Sequence, residues 1–248
     1  MPVPQPLLDA LTKRREAADL LQRNLPTEAI LALREAAESL DTPDPDSTRT
    51  EALAESLDAL SNLLRTEGRV AEALDPAERA LRLITTLARN DPPRYLPLLT
   101  RATDNLGRCY QQLRQFERAA AAYEQATAGY AILIDLPGST APEHLQLAEV
   151  MSRHALALAQ IGELERAYTV ATAFVERGRE LLPRSLPLLA GGLLFLADLA
   201  EDLGRQHERI AHLTDGVQLL ERAAQDELPG AREAASRMAT ALHNATNY

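Results

Sequence analysis

Tryptophan is absent from these 248 residues, cysteine occurs once, at Cys109, and lysine occurs once, at Lys13. A single thiol rules out an intrachain disulfide and any zinc site built from several cysteines. β-Branched residues are sparse and no segment alternates apolar with polar residues, so strands are not expected. Long apolar runs are missing too. The longest, LPLLAGGLLFLA from Leu186 to Ala197, falls short of the ~20 residues of a membrane span and is broken by Pro187, Gly191 and Gly192. The first residues, MPVPQPLLDALTKRREAADLL, lack the charged-then-apolar layout of a secretory signal. A soluble, cytoplasmic protein is expected, with no membrane partner. Basic excess is also lacking: the formal net charge is −10, the opposite of the field that displaces counterions from phosphates, so nucleic acid is not an expected partner.

What is plentiful is Ala and Leu, side chains that lose little entropy in a helix. Proline clusters (DTPDPDS, NDPPRY, DLPGSTAPE, LLPRSLP and DELPG) interrupt the chain at fairly regular intervals and read as helix breaks. Between them lies a second, alignable punctuation: QRNLPTEAILAL, RTEGRVAEALDP, QLRQFERAAAAY, QIGELERAYTVA and DLGRQHERIAHL. Asn24, Gly68, Arg114, Gly162 and Gly204 hold the same place in it, 42 to 48 residues apart. Gly or Asn suits a helix C-terminus that must enter the left-handed region. Arg114 should be strained there, or its turn built differently. Small residues recur five positions on, at Ala73, Ala119 and Ala167, where two helices could approach closely. One helix pair cannot bury its apolar stripe alone, so stacked pairs must share a core.

The stretch TDNLGRCYQQLRQFERAAAAYEQA resembles a tetratricopeptide repeat (TPR), with Leu106, Gly107, Tyr110, Ala119, Tyr123 and Ala126 on the signature positions. RALRLITTLARNDPPRYLPLLTRATDNLG is similar to the long repeats of kinesin light chains and of bacterial signalling ATPases, whose helices exceed those of the usual ~34-residue unit. The resemblance implies an all-α, right-handed α-solenoid of about five antiparallel helix pairs. Residues 1–248 would form a single domain with repeats at about 5–40, 48–90, 94–135, 142–182 and 184–225, and a capping helix at about 229–246. In the fifth repeat Arg209 replaces a small residue and Gly216 occupies a core position, as suits a solenoid end.

Recognised chemistry is missing. His207 and His212 in HERIAH are five apart, so on a helix their imidazoles diverge by about 140° and cannot share a metal. His154 takes a core-facing signature position and Cys109 a flank facing the preceding repeat. No phosphate loop, dinucleotide fingerprint or serine elbow is present. No catalytic residue, metal or cofactor is expected, and the chain is read as a non-enzyme.

In solenoids of this kind the first helix of each pair lines a concave groove. The resemblance places Asp58, Asn62 and Arg65 there, then Arg101, Asp104, Asn105, Arg108 and Gln112, then Glu149, Arg153 and Gln160, and finally Leu194, Phe195, Asp198 and Asp202. Arg, Asn and Gln can hold an extended peptide by directed hydrogen bonds. Asn62, Asn105 and Arg153 match three of the five positions of the carboxylate clamp of chaperone adaptors. Asp58 and Glu149 stand where its lysines would be, and acids would repel a terminal carboxylate. The expected function is a protein- or peptide-binding scaffold acting as an adaptor or regulatory subunit. The alternative is a sensor of a small signalling peptide coupled to a separate effector. An enzyme would need a deep pocket with a coupled carboxylate and histidine, which the sequence does not offer.

Overall fold

The structure, a computed structural model, describes residues 4–42, 46–137 and 139–247. Pro43 and Pro45 of the first proline cluster and Gly138 of the third lie outside the described residues. The described residues form helices and no strand. The pairs are α1 (Gln5–Gln22) with α2 (Pro26–Leu40), α3 (Ser47–Thr66) with α4 (Val70–Asn90), and α5 (Pro92–Gln112) with α6 (Phe116–Asp135). Then come α7 (Ala141–Gln160) with α8 (Leu164–Glu180), α9 (Leu186–Asp202) with α10 (Gln206–Gln225), and a last helix, α11 (Ala231–Thr246). This is the all-α, tetratricopeptide-type solenoid fold.

Local chemistry sets where the helices begin. Asp46 caps α3 by accepting from the Arg49 N–H at 2.8 Å, and Glu143 of α7 reaches back to the Thr140 N–H at 2.6 Å. Prolines occupy the first turn of α2, α5, α7 and α9, where a missing N–H costs nothing.

The turns inside the pairs are built alike. The Gly68 N–H donates to Arg65 O at 3.1 Å, and the Arg69 N–H reaches back to Leu64 O at 2.8 Å. The same two bonds recur at Asn24, Arg114, Gly162 and Gly204. All five residues have positive φ, from 58° at Asn24 and Arg114 to 79° at Gly162. Arg114 therefore makes the common turn, at a left-handed cost of roughly 1–2 kcal/mol that glycine would avoid. A sixth turn of this type, at Glu227 (φ 58°), ends α10.

Packing gathers the chain into two compact units, one ending at Gly129 and the other beginning at Tyr130. In the first, the leading helices α1, α3 and α5 are neighbours. Ala10, Leu40, Leu53, Leu57, Ile84 and Ala102 belong to one apolar cluster beneath them. Ala73 and Ala119 are fully buried, and Gly107 admits the ring of Tyr123, itself fully buried. In the second unit α7 neighbours α9, and α11 covers α10 and α9. Gly216 is the seat of that cover: a Cβ there would come within 2.9 Å of Met238 Cε. The fifth repeat departs from the pattern at this position because a helix lies on it. Gly192 plays the same part for Phe174, whereas a Cβ at Gly191 would meet nothing.

Candidate ligand-binding face

On α5, Arg101, Asn105, Arg108 and Gln112 recur at i, i+4, i+7 and i+11, which puts them along one helix face. On α3, Asp58, Asn62 and Arg65 do the same. The first unit sets these two faces side by side. Arg101 Nε donates to Asp58 Oδ2 at 3.0 Å, and Asn105 Nδ2 donates to Asp58 Oδ1 at 3.1 Å. One turn on, Arg108 grips Asp104 with Nε at 3.1 Å and Nη2 at 2.7 Å, and Arg65 Nη2 donates to Asn62 Oδ1 at 2.7 Å.

Burial sorts these residues into two layers. Asp58, Asp104 and Asn105 are 6%, 4% and 6% exposed, so they do not line an open groove as the sequence led one to expect. They form a floor. The Arg101 side chain above them is 57% exposed, Arg108 is half-buried, and Asn62 and Gln112 are exposed. The physical reason is that a carboxylate can be buried only when paired and hydrogen-bonded, and an adjacent arginine fork supplies both. Burial pushes the Asp58 carboxyl up, opposed by the attraction and hydrogen bond of Arg101 and by the Asn105 amide. Arg65 is pushed below its ordinary value by burial and by the nearby Arg108 guanidinium. The outer layer is thus cationic, with Arg65, Arg101 and Arg108 above two covered acids, on a chain whose net charge is −10.

The other candidates belong to the second unit. Arg153 on α7 has its Nη1 3.7 Å from Glu149 Oε2, so that position is an ion pair and not a bare acid. Leu194 and Phe195 on α9 are half-buried. His154 is buried, as its signature position implied. Cys109 is fully buried with Sγ 3.7 Å from Ser61 Oγ on α3, and burial raises its thiol pKa. That is an inert environment for a thiol. Among the described residues no three His, Cys, Asp or Glu side chains are grouped to hold a metal ion, and no helix is long and apolar enough to cross a membrane.

Sequence reasoning missed the polar ties from α8 to α10 and to Arg205, the residue just before it. Tyr168 Oη lies 2.6 Å from His212 Nε2, Arg205 Nη2 donates to both Glu165 oxygens at 2.8 Å, and Arg179 pairs with Asp215. Each joins positions about one repeat apart, a spacing at which opposite charges could have been sought.

Residues 101–128 match the family model described as tetratricopeptide repeat. No curated protein matches the sequence. Solved structures with this fold include the nearly identical TPR-like repeats of a Podosopora anserina protein described as a kinesin light chain. It is 19% identical, with 92% of this chain and 99% of that one covered at a TM-score of 0.66. The apo form of RapI is 14% identical, with 88% and 72% covered at 0.67. YrrB, described as a TPR protein with an unusual peptide-binding site, is 17% identical, with 85% and 86% covered at 0.57. At such identities the likeness is one of fold.

Proposed function

We propose that this chain, an array of helix pairs with a tetratricopeptide repeat at its centre, binds an extended acidic peptide segment of another protein. The α3–α5 face of its first unit would hold that segment, and the chain would act as an adaptor or regulatory subunit. The observation that carries this reading is the state of Arg101. Its stem is fixed by Nε on a buried carboxylate, while Nη1 and Nη2 make no hydrogen bond to any described residue and the side chain is more than half exposed. A guanidinium held in this way loses little freedom on binding a carboxylate or a peptide carbonyl. Arg65 and Arg108 add positive charge beside it, and the Asn62 and Gln112 amides can meet a peptide backbone. YrrB, similar in fold, is described as having a peptide-binding site, which supports the same class of ligand.

The test is selection from a displayed library of random peptides on the purified protein, followed by affinity measurement of the recovered sequences. Acid-containing peptides should be enriched. Arg101→Gln combined with Asn62→Ala should weaken them about tenfold, the worth of one charge-assisted hydrogen bond. Glutamine retains a donor for Asp58, so the fold is spared. Recovered peptides that bind this double variant as tightly as wild type would move the interface off this face.

A further inference from the structure

In the second unit, the end of α8, the C-terminal half of α10 and the turns that follow them line an open cavity of about 470 Å³. That lies in the ~300–1,000 Å³ range of small-molecule sites. Its apolar wall comes from Leu182 and Pro183 after α8, Leu219 on α10 and Leu228 after α10. The polar lining divides into a satisfied and an unsatisfied half. Arg179 and Asp215 are bound to each other, so each charge is already offset by the other. Arg222 and Asp226, four residues apart at the end of α10, are both exposed. They form no ion pair with each other or with any other described residue, and no side-chain hydrogen bond. The Gln218 amide, one turn before Arg222, is exposed and has no hydrogen-bond partner among the described residues.

One free cation, one free anion and one free amide thus border an apolar cavity. A simple anion would meet Asp226, and a simple cation would meet Arg222. A neutral apolar molecule would leave both charges to water and use neither. A zwitterion satisfies both. We infer that this cavity binds a small zwitterionic peptide with apolar side chains, of dipeptide size. Its carboxylate would lie on Arg222, its ammonium group on Asp226 and its peptide group against Gln218, with the side chains on the leucine wall. The site is independent of the α3–α5 face and does not rest on its reading.

The probe is L-leucyl-L-leucine, followed by saturation-transfer NMR on the full chain, with N-acetyl-leucyl-leucinamide as the uncharged counterpart. The free dipeptide should receive saturation and the blocked one should bind at least about tenfold more weakly, since both charged contacts are lost. Arg222→Ala and Asp226→Asn should each weaken the free dipeptide several-fold. Neither removes a side-chain hydrogen bond or ion pair to a described residue, and circular dichroism should be unchanged. Arg101→Gln, in the other unit, should leave the signal intact. No saturation of the free dipeptide, equal binding of the blocked form, or affinity indifferent to both rim variants would each overturn the inference.

Discussion

Arg101 on α5 lies over the Asp58 carboxylate on α3 at 3.0 Å, one repeat upstream, and Asn105 donates to that carboxylate from beneath. One buried acid therefore holds the pose of an exposed arginine and accepts from the donor of a buried amide. Replacing Asp58 with Ala would leave the Asn105 Nδ2 group, in a residue only 6% exposed, with no more than its long 3.4 Å bond to the carbonyl of residue 58. An unsatisfied buried donor costs about 1–3 kcal/mol. Asp58→Ala should lower stability by about that much in urea unfolding and weaken peptide binding as Arg101 loses its anchor. Asp58→Asn, which still accepts hydrogen bonds, should recover much of the stability. Equal stability of Asp58→Ala and wild type would show that the amide finds another acceptor.

Two glycines should respond to alanine with opposite signs. At Gly107 a Cβ would sit 2.7 Å from Tyr123 Cε1 and 3.3 Å from Ala122 Cβ, and Tyr123 is fully buried, so the ring has little room to retreat. Overpacking of this kind costs about 1–3 kcal/mol and outweighs the helix-propensity gain of up to about 1 kcal/mol. Gly107→Ala should lower the thermal midpoint. At Gly191, inside α9, a Cβ meets nothing within 4 Å, so only the gain remains and Gly191→Ala should raise it. Ala119→Phe, at a fully buried contact, should be worse than Gly107→Ala. Differential scanning calorimetry of the three variants checks the order.

Burial of Tyr168 and His212 makes stability depend on pH at both ends. Burial pulls the His212 pKa below its ordinary value, against the opposing pull of Glu208 and Asp215. The folded protein then binds fewer protons than the unfolded chain between that depressed pKa and about 6.5. The contribution is complete above about pH 6.5 and is lost as pH falls through the folded pKa. Tyr168 is pushed up to about 12 by burial and by Glu208, so its contribution is complete below about pH 10 and is lost as pH rises towards 12. His212→Gln should flatten the acid-side decline of the thermal midpoint, and Tyr168→Phe the alkaline-side decline. Unchanged pH profiles would mean that neither group is shifted by folding.

The helix pairs were legible because three signals agreed: proline clusters, a recurring Gly or Asn, and small residues five positions on. Arg114 shows that the turn outlasts the residue that favours it, since the bonds to Gln111 O and Tyr110 O form with an arginine in the left-handed region. The candidate face was legible only as a set of positions. Asp58 and Asp104 fall on the same helical stripes as Asn62 and Arg108, and periodicity cannot tell an outward acid from one covered by a neighbouring arginine. That distinction depends on which side chains oppose each other across adjacent first helices. The α8–α10 cavity had no sequence signal of its own, because the Leu-Pro pairs after α8 and α10 that help to line it read only as helix breaks.

Arg108 is bound through two nitrogens to the buried Asp104, so an acid at 108 would face an acid and disturb the fold. Gln112, exposed one turn further along the same face, is the better place to probe charge. If the outer layer attracts acidic peptides by its three arginines, a carboxylate at 112 should repel them during approach while leaving the bound contacts of Arg101 untouched. Gln112→Glu should therefore slow association of a selected acidic peptide several-fold, with dissociation nearly unchanged, as rim charges do. The effect should shrink as salt rises from 0.05 to 0.5 M, because exposed charges are screened beyond a few ångströms at the higher value. Arg101→Gln should show the complementary pattern: a group in direct contact with ligand is lost, so dissociation should quicken and stay fast at high salt. Surface-plasmon measurements at the two salt concentrations separate these outcomes. Equal rates for both variants and wild type would mean that the peptide does not pass over α5.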